Sequence, residues 1–202
     1  MAWLSRYKYF FLVIVFSFLA LFPLLHQGLP PTHDGEYHLI RFYQFDKVLN
    51  EGNWYPRWAP DLNFGFGVPL FNYVYPLPNY FASLLHLLGS SFINAFKLNM
   101  FFAAILGSIF FYLWAKMFWG HLGGLVASVF YTFSPYHFLD IYVRGSVGEV
   151  WALGLLPMFL WSATKAIKDK KQKFMAVAVF SLAAIIFSHN ILALLFLPFG
   201  LS

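Results

Sequence analysis

Apolar residues in this chain come in long unbroken blocks. The first runs from Tyr9 to Leu25, with Arg6 and Lys8 before it and His26-Gln27-Gly28-Leu29-Pro30-Pro31 after it. Blocks from Leu98 to Ala115, Leu122 to Leu139 and Val150 to Ile167 follow, and a last run from Phe174 to Ser202 holds no Asp, Glu, Lys or Arg. Stretches of about 18 or more apolar residues read as bilayer-spanning helices. The pattern therefore predicts an all-α polytopic membrane protein, one transmembrane domain over residues 1–202, with spans near 9–25, 98–115, 122–139, 150–167 and 174–197. The first block is longer than a signal-peptide core and no small-x-small cleavage site follows it, so it is expected to be an uncleaved anchor with a cytoplasmic N-terminus. The last run lacks a closing charge, which makes a chain truncated at its C-terminus the expectation.

Between Leu25 and Leu98 the pattern changes. Leu39, Phe42, Phe45, Val48 and Leu49 recur every three to four residues, while His38, Arg41, Gln44 and Lys47 form a polar stripe, the signature of an amphipathic surface helix that Gly52 can end. The segment 73–89 carries Pro76, Pro78, Asn79 and His86 and is a doubtful span. Charge decides it. If it does not cross, eight bases (Arg6, Lys8, Lys116, Lys165, Lys168, Lys170, Lys171, Lys173) lie inside and five (Arg41, Lys47, Arg57, Lys97, Arg144) outside; if it crosses, the balance inverts to four against nine, contrary to the positive-inside rule. Residues 26–97 are accordingly expected to be an outer loop with interfacial helices. Asp34, Glu36, Asp46, Glu51, Asp61, Asp140 and Glu149 then share the outer face, and of the acids Asp169 alone lies inside.

Composition agrees: 60% hydrophobic, 23% aromatic and only 10% charged residues exclude a water-soluble globule, which carries about a quarter charged residues. The net charge of +5 is spread beside hydrophobic segments, so it reads as an orientation signal and not as a nucleic-acid surface. With no cysteine, disulfides and thiol chemistry are excluded.

Four constellations could carry chemistry. His33-Asp34-Gly35-Glu36-Tyr37-His38 opens the amphipathic helix, with Asp34 and His38 four residues apart, a spacing suited to sharing a proton or a metal ion. Asp34 could act as general base at a membrane surface, or with Glu36 could merely cap the helix. Trp54-Tyr55-Pro56-Arg57-Trp58 through Gly65-Phe66-Gly67-Val68-Pro69 to Tyr73, Tyr75 and Pro76 reads as an ordered aromatic loop, for ligand stacking or for the interface. In Asp140 to Glu149, Arg144 could bind a phosphate, or could pair with Asp140 or Glu149; Lys97 is a second phosphate candidate, or snorkels. Ser188-His189-Asn190 sits about 22 Å up a continuous last helix, where His189 would bond another helix or line the outer site.

These motifs, taken together, resemble the bacterial membrane proteins called 6-pyruvoyl-tetrahydropterin synthase-related, whose architecture is similar to the GT-C class of integral-membrane glycosyltransferases. The carriers are His33-Asp34-Gly35-Glu36-Tyr37-His38-Leu39, Tyr55-Pro56-Arg57-Trp58 with Gly65-x-Gly67-x-Pro69, Asp140-x-Tyr142-x-Arg144-Gly145 with Glu149, and Ser188-His189-Asn190. The resemblance implies a GT-C-like N-terminal bundle in the cell envelope. It implies transfer of a sugar from a polyprenyl-phosphate donor to an acceptor at the outer face, with membrane lipid as partner. By position it makes Asp34 and Glu36 the catalytic acids, and His33, His38, Arg57, Lys97, Tyr142, Arg144, Glu149 and His189 the substrate-binding set. A divalent cation is left open. The competing expectation is a non-catalytic carrier or scaffold for lipid-linked or envelope polysaccharide.

Overall fold

The computed structural model describes residues 2–200, with side chains for residues 7–196. The helices are α1 (Ala2–Leu21), α2 (Gly35–Asn50), α3 (Leu77–Leu87), α4 (Phe92–Thr132), α5 (Pro135–Phe138), α6 (Val147–Asp169), α7 (Gln172–Ser188) and α8 (Asn190–Gly200). Among the described residues there is no strand, only an isolated bridge between Ala59 and Val68. Among the described residues, three stretches are long and apolar enough to cross a bilayer: Tyr7–Leu25, Phe92–Thr132 and Val147–Asp169.

The second of these is a hairpin. Gly120 adopts φ 66°, ψ −173°, a region open in practice only to glycine, and the chain reverses there. The returning arm lies along the first: the Ser108 and Thr132 hydroxyls are 2.7 Å apart, Ser128 donates to the Ser108 carbonyl at 2.8 Å, and the Phe111 and Tyr131 rings stack at 4.4 Å. The returning helix ends at Thr132, not at Leu139 as the apolar run suggests, because Ser134-Pro135 restarts the chain as α5 and Leu139–Arg144 forms a π-helical turn. The last run also differs from expectation. α7 stops at Ser188, His189 is extended (φ −162°, ψ 104°), and α8 begins at Asn190, so residues 174–197 are not one helix.

α6 is the central element, packed against α4 on one side and α7 on the other. It approaches α4 closely because Gly154 has no side chain: a Cβ there would lie 2.2 Å from the Ala103 carbonyl oxygen. Small residues of this kind let helix backbones meet where lipid supplies no hydrophobic drive between helices. Around this seam Phe96, Met100, Val147, Ala152 and Leu155 are buried. Phe11, Phe18, Leu19, Phe180, Phe187 and Leu194, on α1, α7 and α8, are exposed, as side chains facing lipid would be.

Contacts sort the bundle into two ends. At one, Tyr9 of α1 stacks on His121 beside the Gly120 reversal, and Lys168 lies over the Phe118 ring; lysines gather here. At the other, Tyr142 donates to the Ala20 carbonyl of α1, Lys97 to the His26 carbonyl, and the connection from α1 to α4 packs over the bundle. α3, with 11 residues, is about 16 Å long, half of a hydrocarbon core of about 30 Å, and packs on α2 and α4. The loop after α2 is clasped to it: Asp61 accepts from Lys47 at 2.7 Å and from Gln44 at 2.9 Å, and Phe45, Phe71 and Tyr80 meet edge to face.

Candidate functional site

The acid end is organised by a junction between the two loops. His33 N–H donates to the Val143 carbonyl and Asp34 N–H to the Arg144 carbonyl, both at 2.9 Å. Gly145, in the left-handed region at φ 70°, lets the second loop turn there; a Cβ on it would lie 2.3 Å from the Thr32 hydroxyl oxygen. Asp34 and Arg144, 110 positions apart in sequence, are thereby fixed side by side.

Arg144 is the hub of an ion-pair network. Its Nη1 donates to Asp140 Oδ1 at 2.8 Å and to Glu149 Oε2 at 2.6 Å, and its Nη2 to Glu149 Oε1 at 2.5 Å. The Tyr136 hydroxyl donates to Glu149 Oε2 at 2.8 Å, and His189 Nε2 stands 3.7 Å from Glu149 Oε1. His189 Nδ1 accepts the Leu192 N–H at 3.2 Å, which puts the ring's proton on Nε2 when the ring is neutral, aimed at Glu149. Asp140 is fully buried and its Oδ2 has no partner. Burial, reinforced by the Glu149 charge and opposed by Arg144, pushes its carboxyl up to about 7. The same arrangement holds the Arg144 guanidinium more firmly protonated than usual, chiefly through its bonds to Glu149.

Of the two readings of Arg144 from sequence, the ion pair is the one observed: its charge is matched by two carboxylates. Tyr142, expected to touch substrate, instead spends its hydroxyl on α1 at 2.6 Å. Lys97 is engaged by the His26 carbonyl at 2.9 Å. Arg57 lies on the exposed loop, bonded to Asn72 at 2.7 Å, and no contact brings it to Arg144. His38 is a clear departure from the expected polar stripe. Its side chain is buried between Phe42 and Phe96, with ring centroids 6.0 and 6.2 Å away, and desolvation pushes it down to about 3. No hydrogen bond or ion pair joins its side chain to that of Asp34 among the described residues. Among the described residues, no three His, Asp or Glu side chains gather as a metal set.

Asp34 does not cap α2 with its side chain, although it occupies the cap position. Its carboxylate is half-buried and has no hydrogen-bond or ion-pair partner among the described residues. Glu36 and His33 are exposed. Within electrostatic reach of Asp34 lies Tyr75, at the end of the aromatic loop. Its ring tilts over His189 at 5.3 Å and covers Gly148, where a Cβ would fall 2.2 Å from the ring. Burial raises the Tyr75 phenol above its ordinary value; Arg41 and the Gly148 N–H act against that, while Glu149 and Asp34 act with it. One phenol is thus within electrostatic reach of Asp34, Arg41 and Glu149.

The sequence profile of the family described as "6-pyruvoyl-tetrahydropterin synthase related domain; membrane protein" matches residues 71–200. A protein of Lactococcus lactis subsp. cremoris (strain MG1363), described as uncharacterized, is 22% identical over 201 residues. That alignment covers 97% of this chain and 33% of the relative, so the chain spans about a third of that relative's length. No solved structure matches.

Proposed function

This chain belongs to the 6-pyruvoyl-tetrahydropterin synthase related family of membrane proteins, and from that premise we propose that it forms the catalytic N-terminal part of a GT-C-like transferase. On this reading it moves a sugar from a polyprenyl-phosphate donor to an acceptor hydroxyl at the acid end of the bundle, which faces outward. The observation that carries the reading is Asp34: a half-buried carboxylate fixed through its own backbone to the second loop, yet without a side-chain partner. A structural acid at a loop junction ordinarily caps or pairs; one left free is placed to accept a proton.

The step runs as follows. Asp34 takes the proton of the acceptor hydroxyl as its oxygen bonds to the sugar's anomeric carbon; the bond from that carbon to the phosphate oxygen breaks, and the electron pair leaves with the lipid phosphate. Glu36, two residues on and exposed, does not converge on the same point. Arg144, Glu149, Asp140 and His189 act at one remove, holding the second loop and Tyr75 in place. The carrier or scaffold alternative draws its support from that same closed network.

The test is sugar transfer in membranes carrying the full protein with Asp34→Asn. Transfer should fall by 100-fold or more, the order of a lost general base, while the variant still inserts and melts like the wild type. Undiminished transfer removes Asp34 from the chemistry and favours the carrier or scaffold.

A further inference from the structure

A leaving phosphate needs a cation, and the expected one is already neutralised: Arg144 makes three charge-assisted bonds to Asp140 and Glu149. Lys97 is held by a backbone carbonyl and Arg57 lies out on the aromatic loop. The cation left over at this end is Arg41. It sits on α2 seven residues after Asp34, two helical turns along the same face and about 10 Å up the axis. Its charge is felt both at the buried His38 ring, one turn back on the same face, and at the Tyr75 phenol. Among the described residues it has no hydrogen-bond or ion-pair partner, and it is half-buried. An acid and a guanidinium thus share one helix face and act on the same tyrosine, and neither is ion-paired to the other.

We propose that Arg41, with the Tyr75 hydroxyl beside it, is the anion site that takes up the phosphate of the lipid-linked donor, leaving Arg144 as a positioning residue. This rests on the transferase reading for the identity of the phosphate, not for the existence of the site. A guanidinium fork matches two phosphate oxygens, which a lysine cannot do. As the sugar–phosphate bond breaks, the charge on those oxygens grows, so the same contact strengthens along the reaction.

The test uses the full protein in phosphatidylcholine nanodiscs with a fluorescent polyprenyl phosphate as probe and inorganic phosphate as competitor. Wild type should bind the probe saturably. Arg41→Gln should weaken binding by 10-fold or more, Arg41→Lys should recover part of it, and Lys173→Gln at the lysine end should change nothing. Competition by inorganic phosphate assigns recognition to the phosphate alone, and its absence assigns it to the lipid-borne group; in both arms the Arg41→Gln loss supports the site. Wild-type binding by Arg41→Gln in a protein that melts normally overturns the proposal, as does a wild type that binds neither probe. If both variants melt early, salt decides on the wild type: probe binding that does not weaken as salt rises also overturns it. Arg41-dependent binding combined with full transfer by Asp34→Asn would sink the transferase reading and leave the anion site standing.

Discussion

Asp34 gives its backbone N–H to the carbonyl of Arg144 at 2.9 Å, while the two side chains go separate ways: Arg144 to its own pair of carboxylates, Asp34 to none. The contact fixes topology, since the first loop and the second must lie at the same end of the bundle. In a chain without cysteine, single cysteines test this directly. Those replacing Asn53 and Val143, both exposed, should react together with a membrane-impermeant maleimide in intact cells. One replacing Gln172, at the lysine end, should react only after lysis. Labelling of Asn53 and Val143 from opposite sides would break the site apart.

Gly145 is the weak point of that junction. Alanine there meets two penalties: a left-handed backbone, costing about 1–2 kcal/mol for a residue with a Cβ, and a clash with the buried Thr32 hydroxyl. Gly145→Ala should lower the melting temperature in detergent and weaken both transfer and probe binding. Gly28→Ala is the control: it also has a positive φ, 83°, but nothing lies within 4 Å of its added Cβ, so it should pay the backbone cost alone.

The long apolar helices α1, α4 and α6 are legible because a bilayer demands about 20 consecutive apolar residues. What lay hidden were places where a partner far along the chain decides. His189 interrupts the final run without a Pro or Gly to announce it; its cap on α8 and its contacts to Glu149 and Tyr75 supply the reason. His38 and Gln44 read as a solvent stripe but are buried, because α2 is covered from two sides, by the bundle and by its own loop. Arg41 belongs to the same stripe; its seven-residue spacing from Asp34 is the signal the sequence offers, and periodicity alone gives it no more weight than its neighbours.

Breaking the network should separate its members. Arg144→Gln leaves Asp140 buried without a counter-charge and Glu149 short of its main donor. The expected cost is about 2–3 kcal/mol, the low end for a buried pair because the guanidinium is 34% exposed. Glu149→Gln keeps the Asp140–Arg144 bond and should cost about half as much. Equal melting temperatures for wild type and Arg144→Gln in detergent would show that the network carries no stability.

Two buried groups give the stability opposite dependences on pH. His38 titrates ordinarily at 6.5 and in the fold at about 3, so between those values the unfolded chain holds a proton that the folded chain refuses. Its contribution is full above about 6.5 and is lost as pH falls toward 3. Asp140 is the reverse: with its ordinary value of 3.8 raised to about 7, the folded chain holds the extra proton, and stability drops as pH rises through that window. The two oppose each other near mildly acidic pH, so the wild-type melting temperature should change little there. His38→Leu should expose the Asp140 limb, with a melting temperature that falls steadily from about pH 4 to 7. Asp140→Asn should expose the His38 limb, with one that rises over the same range. Because the Glu149 charge is part of what raises Asp140, Glu149→Gln should move the Asp140 limb to lower pH. Parallel profiles in all four proteins would mean that neither group is buried as described.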